Sequence, residues 1–257
     1  MKIAILGAGL MGSWLAKELS KGHVIALYDI EKSKADGLKM GKVLSSMQEL
    51  GKFAPEMLLN AVTIQNTIQA FEEAEKHIPT DCIIADVASI KGEIPNYYKR
   101  HSFRFVSVHP MFGPTFADMG ALKEENAVII KESSKEGAEF FKRLFERLGI
   151  RIFEYTFKEH DEMMVYSLTL PFTSSMVFAG CVDTKAVPGT TFKKHMDIAT
   201  KLLKEDDHLL AEILFNPNSL RQLEKITSRL EFLKHIMMGR DYDEAKRFFD
   251  KLRENVK

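Results

Sequence analysis

The opening run Lys2-Ile3-Ala4-Ile5-Leu6-Gly7-Ala8-Gly9-Leu10-Met11-Gly12 constrains this chain most. Four apolar residues in a row, Ile3–Leu6, read as a short strand buried on both faces. The glycines that follow fit G-x-G-x-x-G, and Ser13–Ser20 reads as the helix behind them. In such a pattern the first glycine permits a tight turn. The second lets backbone approach a pyrophosphate, and the third lets helix and strand pack closely. Asp29 closes a second apolar run, Val24–Tyr28, at the distance where a ribose-binding carboxylate is expected. Gly7, Gly9, Leu10, Met11, Gly12 and Asp29 are therefore candidate dinucleotide-binding residues, with free amides of the helix start aimed at the phosphates. The Asp29 carboxylate would accept from a 2′-hydroxyl and repel a 2′-phosphate, which favours NAD. Lys32 and Lys34, just beyond, keep NADP as the alternative.

The pattern continues through the first half of the chain. Val24–Tyr28, Met57–Val62, Ile83–Val87, Phe103–Val108, Ala127–Ile130 and Ile152–Tyr155 read as further strands. Thr67–His77, Gly92–Lys99 and Lys135–Leu148 read as helices between them. Strands alternating with helices imply a parallel sheet covered on both faces, hence a Rossmann-like doubly wound α/β fold. No convincing strand follows Phe157. Ser219–Met238 carries apolar residues at helical spacing, with Asn218 placed to cap its start and Gly239 its end. Asp241–Asn255 repeats the scheme. The reading is a nucleotide-binding domain over 1–157 and an all-helical domain over 158–257.

Composition excludes some classes. The 257 residues carry 36 basic and 36 acidic side chains, so no basic face calls for nucleic acid. Cys82 and Cys181 stand far apart and make no metal-ligand spacing, and a reducing, cytoplasmic setting is the default. Met163–Val182 is an uncharged run long enough to span a bilayer. Its five serines and threonines, Pro171 and Gly180 favour instead a helix buried on most sides, packed in a dimer interface. No membrane partner is expected.

The chemistry is carried by two further segments. Ser107-Val108-His109-Pro110-Met111-Phe112-Gly113-Pro114 follows an apolar run, which puts His109 at a strand end. Asp86-Val87-Ala88-Ser89-Ile90-Lys91-Gly92 follows another, which puts Ser89 at the neighbouring one. Parallel neighbours lie about 5 Å apart, so both side chains can share one crevice. A neutral imidazole there can take a hydroxyl proton. Ser89 can orient the imidazole or the substrate, although it could also cap a helix beginning at Ile90.

Gly7–Gly12, Asp86–Gly92 and His109–Pro114 together resemble the prephenate dehydrogenase family of tyrosine biosynthesis, over the whole chain. The resemblance implies NAD(P)-dependent oxidative decarboxylation of prephenate to 4-hydroxyphenylpyruvate, with His109 as base and Ser89 as its hydrogen-bond partner. It implies homodimers joined through the helical domain. Fusion to chorismate mutase or prephenate dehydratase in a longer chain is compatible with it. Relatives carry a histidine or an arginine–histidine pair where this chain reads Ser167-Leu168-Thr169-Leu170-Pro171-Phe172, and Lys201 stands at a later arginine position. Thr169 and Lys201 are thus the substrate-binding candidates, with Lys193, Lys194 and Arg221 as other cations. These departures bring in arogenate, the transaminated relative, as the alternative substrate. His160-Asp161 matches a motif at the domain junction and is read as structural, Asp161 charging the first helical turn. Two remoter readings stay open: a β-hydroxyacid dehydrogenase using Lys201, and a noncatalytic dinucleotide-sensing dimer.

Overall fold

The computed structural model describes residues 1–113, 122–183 and 185–256. Pro114, at the end of the histidine segment, lies outside the described residues.

Eight strands among them form one sheet: β1 (Lys2–Leu6), β2 (Val24–Tyr28), β3 (Lys42–Val43), β4 (Met57–Asn60), β5 (Ile83–Asp86), β6 (Phe105–Pro110), β7 (Asn126–Ile130) and β8 (Arg151–Tyr155). Their order is β3-β2-β1-β4-β5-β6-β7-β8. The chain therefore leaves β1 toward one side, then returns to β4 on the other. That reversal is the switch point at which open α/β sheets bind ligands.

Alternation of side chains explains the strongly apolar strands. Ile3 and Ile5 of β1 point to one core with Trp14 and Leu15 of α1 (Leu10–Leu19) and Phe141 and Phe145 of α6 (Lys135–Leu148). Ala4 and Leu6 point to the other core with Phe71 of α4 (Thr67–Ala74) and Tyr97 and Tyr98 of α5 (Ile94–Arg100). Both faces of the sheet are covered, so neither face of β1 tolerates polarity.

Three sequence expectations need correction. The sheet is not parallel throughout: β6 pairs β7 antiparallel. An antiparallel return requires no crossover helix, and no helical period was legible between Phe103–Val108 and Ala127–Ile130. The strands β4 and β5 stop at Asn60 and Asp86, short of Val62 and Val87. Both are turned by their own last side chain: Val62 N–H donates to Asn60 Oδ1 at 3.3 Å, and Ala88 N–H to Asp86 Oδ1 at 3.2 Å. Finally, short elements escaped the pattern: β3, α2 (Lys32–Leu38) and α3 (Glu49–Phe53).

From Phe157 onward the described chain is helical: α7 (Phe157–Met164), α8 (Leu170–Cys181), α9 (Thr190–Leu202), α10 (Asp207–Leu214), α11 (Ser219–Gly239) and α12 (Tyr242–Glu254). Thr156 and Glu159 form a capping box at the start of α7, so Glu159, and not Asp161, serves the helix terminus. Gly239 stays within α11; Arg240, at φ 53°, takes the left-handed closing position. Asn218 precedes α11 without a side-chain capping bond. Between α7 and α8, Val165–Thr169 forms a π turn. Pro171 has no N–H for the carbonyl one turn back, and a widened turn absorbs that loss.

The run Phe157–Cys181 is long and apolar enough to cross a membrane by length and composition, and only 22% of its most apolar window is buried. The expectation of a helix buried on most sides is thus not met within one chain, because it packs along one side only. Thr173 Oγ1 and Ser174 Oγ donate to carbonyls of their own helix, at 2.6 Å to Thr169 and 2.8 Å to Leu170.

Gly12 shows how tightly α1 seats on the glycine turn. A Cβ there would lie 2.0 Å from the Gly7 carbonyl oxygen, whereas one on Gly9 meets nothing within 4 Å. Gly12→Ala should lower unfolding stability by about 1–3 kcal/mol in urea denaturation. Gly9→Ala should stay within about 1 kcal/mol of the unaltered chain.

Candidate active site

A cleft of about 580 Å³ opens at the switch point. Its floor is the carboxyl end of the sheet: Met11 from α1, the turns after β4 and β5, and His109–Gly113 from β6 onward. Its roof is helical: Leu168, Pro171 and Phe172 around the π turn, with Ile198 and Leu202 of α9 and Leu209 of α10. The sheet side supplies His109 and Ser89, and the helical side supplies mostly apolar cover, with Glu205 and Asp206 at the α9–α10 junction.

The glycine turn stands on the β1–β2 side. Gly7 adopts φ +92°, and a Cβ there would sit 2.6 Å from the Ala61 carbonyl oxygen. Gly9 precedes α1 with open space beside it, a cradle that a Cβ would begin to fill. The α1 amides beginning at Leu10 are free to face an anion there. Asp29 accepts from Ala8 N–H at 2.7 Å and from Glu31 N–H at 2.8 Å. Each carboxylate oxygen retains a further lone pair for a sugar hydroxyl. Lys34 is tied to Glu31 at 2.7 Å and Lys32 to Asp36 at 3.2 Å, so both nearby cations already hold carboxylates. The residues fit a bound dinucleotide.

His109 is the penultimate residue of β6, 4% exposed, and lines the cleft. Its Nδ1 lies 3.0 Å from Nε2 of His160, a fully buried residue of α7. Burial pushes the His109 pKa well below the ordinary imidazole value, with His160 and the Lys91 ammonium adding to the effect. His160 is lowered by burial too, against an opposing pull from Asp161. His109 is therefore neutral at physiological pH and has a lone pair to offer.

Beneath it lies a buried ion pair. Lys91 has no exposed surface; its Nζ donates to Asp86 Oδ1 at 2.8 Å and to the Val108 carbonyl at 2.8 Å. Tyr98 Oη donates to the other Asp86 oxygen at 2.7 Å. Burial lowers the Lys91 pKa while Asp86 pulls it back up, and burial raises that of Tyr98 well above its usual value. Trp14 meets Phe112 edge-on at 5.2 Å, bracing the segment after His109 from the other side.

Ser89 lines the same cleft as His109, in the loop between β5 and α5; since α5 begins at Ile94, it caps no helix at Ile90. Thr169 is placed otherwise. It is 1% exposed, and its hydroxyl is shared with Ser219 Oγ at 2.8 Å and the Ile213 carbonyl at 3.3 Å, which joins α10 and α11 to the π turn. Lys201 pairs with Asp197 at 2.9 Å one turn earlier on α9 and does not line the cleft. Lys193, Lys194 and Arg221 are exposed and also outside it. Among the described residues no lysine or arginine lines the cleft, whereas Glu125, Glu205 and Asp206 do. Sequence reasoning quoted Asp86 and Lys91 without a role. A carboxylate closing a strand, with a lysine five residues later, was the available signal. It also set His160 aside as structural.

A Rossmann-like unit whose glycine turn and Asp29 fit a dinucleotide, with a buried histidine lining the switch-point cleft, places the chain in the class of nucleotide-binding α/β proteins. Residues 15–154 match the family described as prephenate dehydrogenase, nucleotide-binding domain. The chain belongs to the prephenate dehydrogenase family, oxidoreductases of tyrosine biosynthesis. It is 25% identical over 256 residues to arogenate dehydrogenase 1 of Arabidopsis thaliana, covering 93% of this chain and 40% of that one. To the probable arogenate/prephenate dehydrogenase of Methanocaldococcus jannaschii it is 23% identical, over 94% of this chain and 58% of the relative. The chain thus spans about half the length of these relatives. Its fold superposes on prephenate dehydrogenase from A. aeolicus, solved with hydroxyphenyl propionate and NAD+, at a TM-score of 0.85 and 20% identity, covering 100% of this chain and 97% of that one.

Removing one member of the buried pair leaves the other uncompensated. Lys91→Met should cost about 3–5 kcal/mol in urea unfolding. Adding Asp86→Asn should recover part of that loss.

Proposed function

We propose that this chain oxidatively decarboxylates the cyclohexadienol ring shared by prephenate and arogenate, using NAD. The observation that carries the reading is His109: buried, neutral, and lining a cleft at the switch point beside the glycine turn. The ring hydroxyl binds toward His109, which takes its proton on the ring nitrogen turned away from His160. Ser89, on the same wall, orients that hydroxyl by a hydrogen bond. The apolar roof of Leu168, Pro171 and Phe172 covers the ring and keeps water away. Bound NAD would supply the acceptor for the hydride on the carbinol carbon, and loss of carbon dioxide from the opposite ring carbon would make the ring aromatic. NAD is favoured over NADP because Asp29 would repel a 2′-phosphate and Lys32 and Lys34 are already paired. The NAD+ in the A. aeolicus structure supports the same choice.

Between the two substrates, the cleft lining favours arogenate. Prephenate carries a keto-acid side chain and arogenate an amino-acid one. Both carry a ring carboxylate and a side-chain carboxylate, but only arogenate carries an ammonium, which is welcome beside Glu125, Glu205 and Asp206 and offsets its own side-chain carboxylate where the described lining offers no lysine or arginine. The arogenate dehydrogenase named among the relatives supports this reading.

We also infer a boundary near Phe157 between a nucleotide-binding domain, 1–157, and a helical one, 158–257. The helical part exposes Tyr166, Val177, Phe215, Leu220, Leu223 and Met237. So much apolar surface fits burial against a second copy of the chain. Light scattering of the purified protein should give twice the chain mass, and a monomer at micromolar concentration would defeat that inference.

With NAD, the purified protein should produce NADH absorbance, with kcat/KM higher for arogenate than for prephenate. His109→Asn should lower kcat about 10²-fold or more. Unchanged turnover in that variant would remove His109 from the chemistry. A higher kcat/KM for prephenate would reject the arogenate preference.

A further inference from the structure

His160 contributes nothing to the surface of α7 and does not cap it; Thr156 and Glu159 do that. Its two ring nitrogens are both engaged, Nε2 by His109 Nδ1 at 3.0 Å and Nδ1 by Asp161 Oδ1 at 3.3 Å. A carboxylate only accepts, so the His160 proton sits on Nδ1. Its Nε2 is then bare and must accept, which places the His109 proton on Nδ1. The one ring lone pair left in the pair belongs to Nε2 of His109. We propose that His160, backed by Asp161, is a positioning residue that fixes the reactive tautomer of His109 and shares the charge once His109 takes a proton. The proposal rests on the dehydrogenase reading above.

Electrostatics show why such a partner is needed. When the substrate hydroxyl gives its proton to Nε2, His109 becomes a cation in a site where burial, a charged His160 and the Lys91 ammonium all oppose charge, so His160 helps only as the neutral acceptor for Nδ1 that the tautomer above makes it. The Asp86 carboxylate below already holds Lys91 and Tyr98. Glu125, Glu205 and Asp206 line the cleft on the substrate side. From Nδ1 the path to an anion runs through His160 to Asp161, whose side chain is 34% exposed and whose backbone carbonyl is held by Asn216 at 3.1 Å. The proton on Nδ1 of His109 stays in place, held more tightly by His160 as charge develops. The same logic orients the imidazole of a Ser-His-Asp triad, here with a second imidazole inserted before the carboxylate.

The arrangement is testable without turnover. Nitrogen NMR of the protein labelled in histidine should show His109 with a protonated Nδ1 and a bare Nε2 at neutral pH. The opposite tautomer would overturn the proposal. In steady-state assays with NAD and whichever of prephenate or arogenate is turned over faster, Asp161→Asn should lower kcat roughly 10- to 100-fold, part of the 10²–10⁴ supplied by a positioned base. KM should change less than about twofold. The sign of the pH effect follows from charge. Removing the anion lowers the proton affinity of His109, so the acid limb of kcat/KM should move to lower pH. His160→Gln keeps an acceptor for Nδ1 and should retain more activity than His160→Ala. Wild-type kcat and an unmoved acid limb in Asp161→Asn would reject the positioning role even if the His160 variants fail to fold. If the unaltered protein turns over neither substrate, the functional reading fails, while the NMR tautomer still decides whether His160 fixes that of His109.

Discussion

The Lys91 ammonium, sealed between Asp86 and the Val108 carbonyl, is the contact on which the site depends. It joins the end of β5 to the residue before His109 on β6. An ion pair without exposed surface persists only where each partner answers the other and further hydrogen bonds fill the remaining sites. Here Tyr98 and the Val108 carbonyl do that. The cluster fixes two strand ends relative to one another, and Ser89 and His109 inherit their placement from it.

The same cluster sets the electrical character of the cleft. A cation below His109 discourages its protonation, and burial acts in the same direction. The imidazole is thereby kept in the form that can accept a proton. The cleft above is lined by carboxylates and apolar side chains, and among the described residues it has no lysine or arginine. Around the cleft, positive charge lies under the sheet ends, and the charged groups that line the cleft itself are acidic.

Much of this was legible in the chain before any coordinates. The inner strands announce themselves because both faces of the sheet are covered there, so their residues are mostly apolar; β8, at the sheet edge, is largely exposed and shows only a short apolar pair, Ile152 and Phe153. β3 has two residues and α3 five, too few for a period to register. The reversed direction of β7 leaves no mark on the strand itself; its one trace was the missing helical period before it. His109, Ser89 and the glycine turn could be placed from strand ends alone. Thr169 and Lys201 could not, since which side of a helix faces the cleft depends on packing. The π turn upsets the helical count between Val165 and Thr169, and Asp197 holds Lys201 along α9. His160 was legible as a motif only; its meeting with His109 spans 51 positions and requires the fold.

The widened turn before Pro171 has a consequence for the architecture of the roof. An ordinary helix rotates about 100° per residue, and a single π turn accommodates one residue more than the regular spiral would. Everything after Thr169 is thereby swung round the axis relative to everything before it. With one residue deleted from that stretch, α7 and α8 would fuse into an unbroken rod, and Pro171 and Phe172 would turn by about 100° away from the cleft they line. Shortening the backbone there would strip the lid from the cavity while leaving every residue of the sheet where it is.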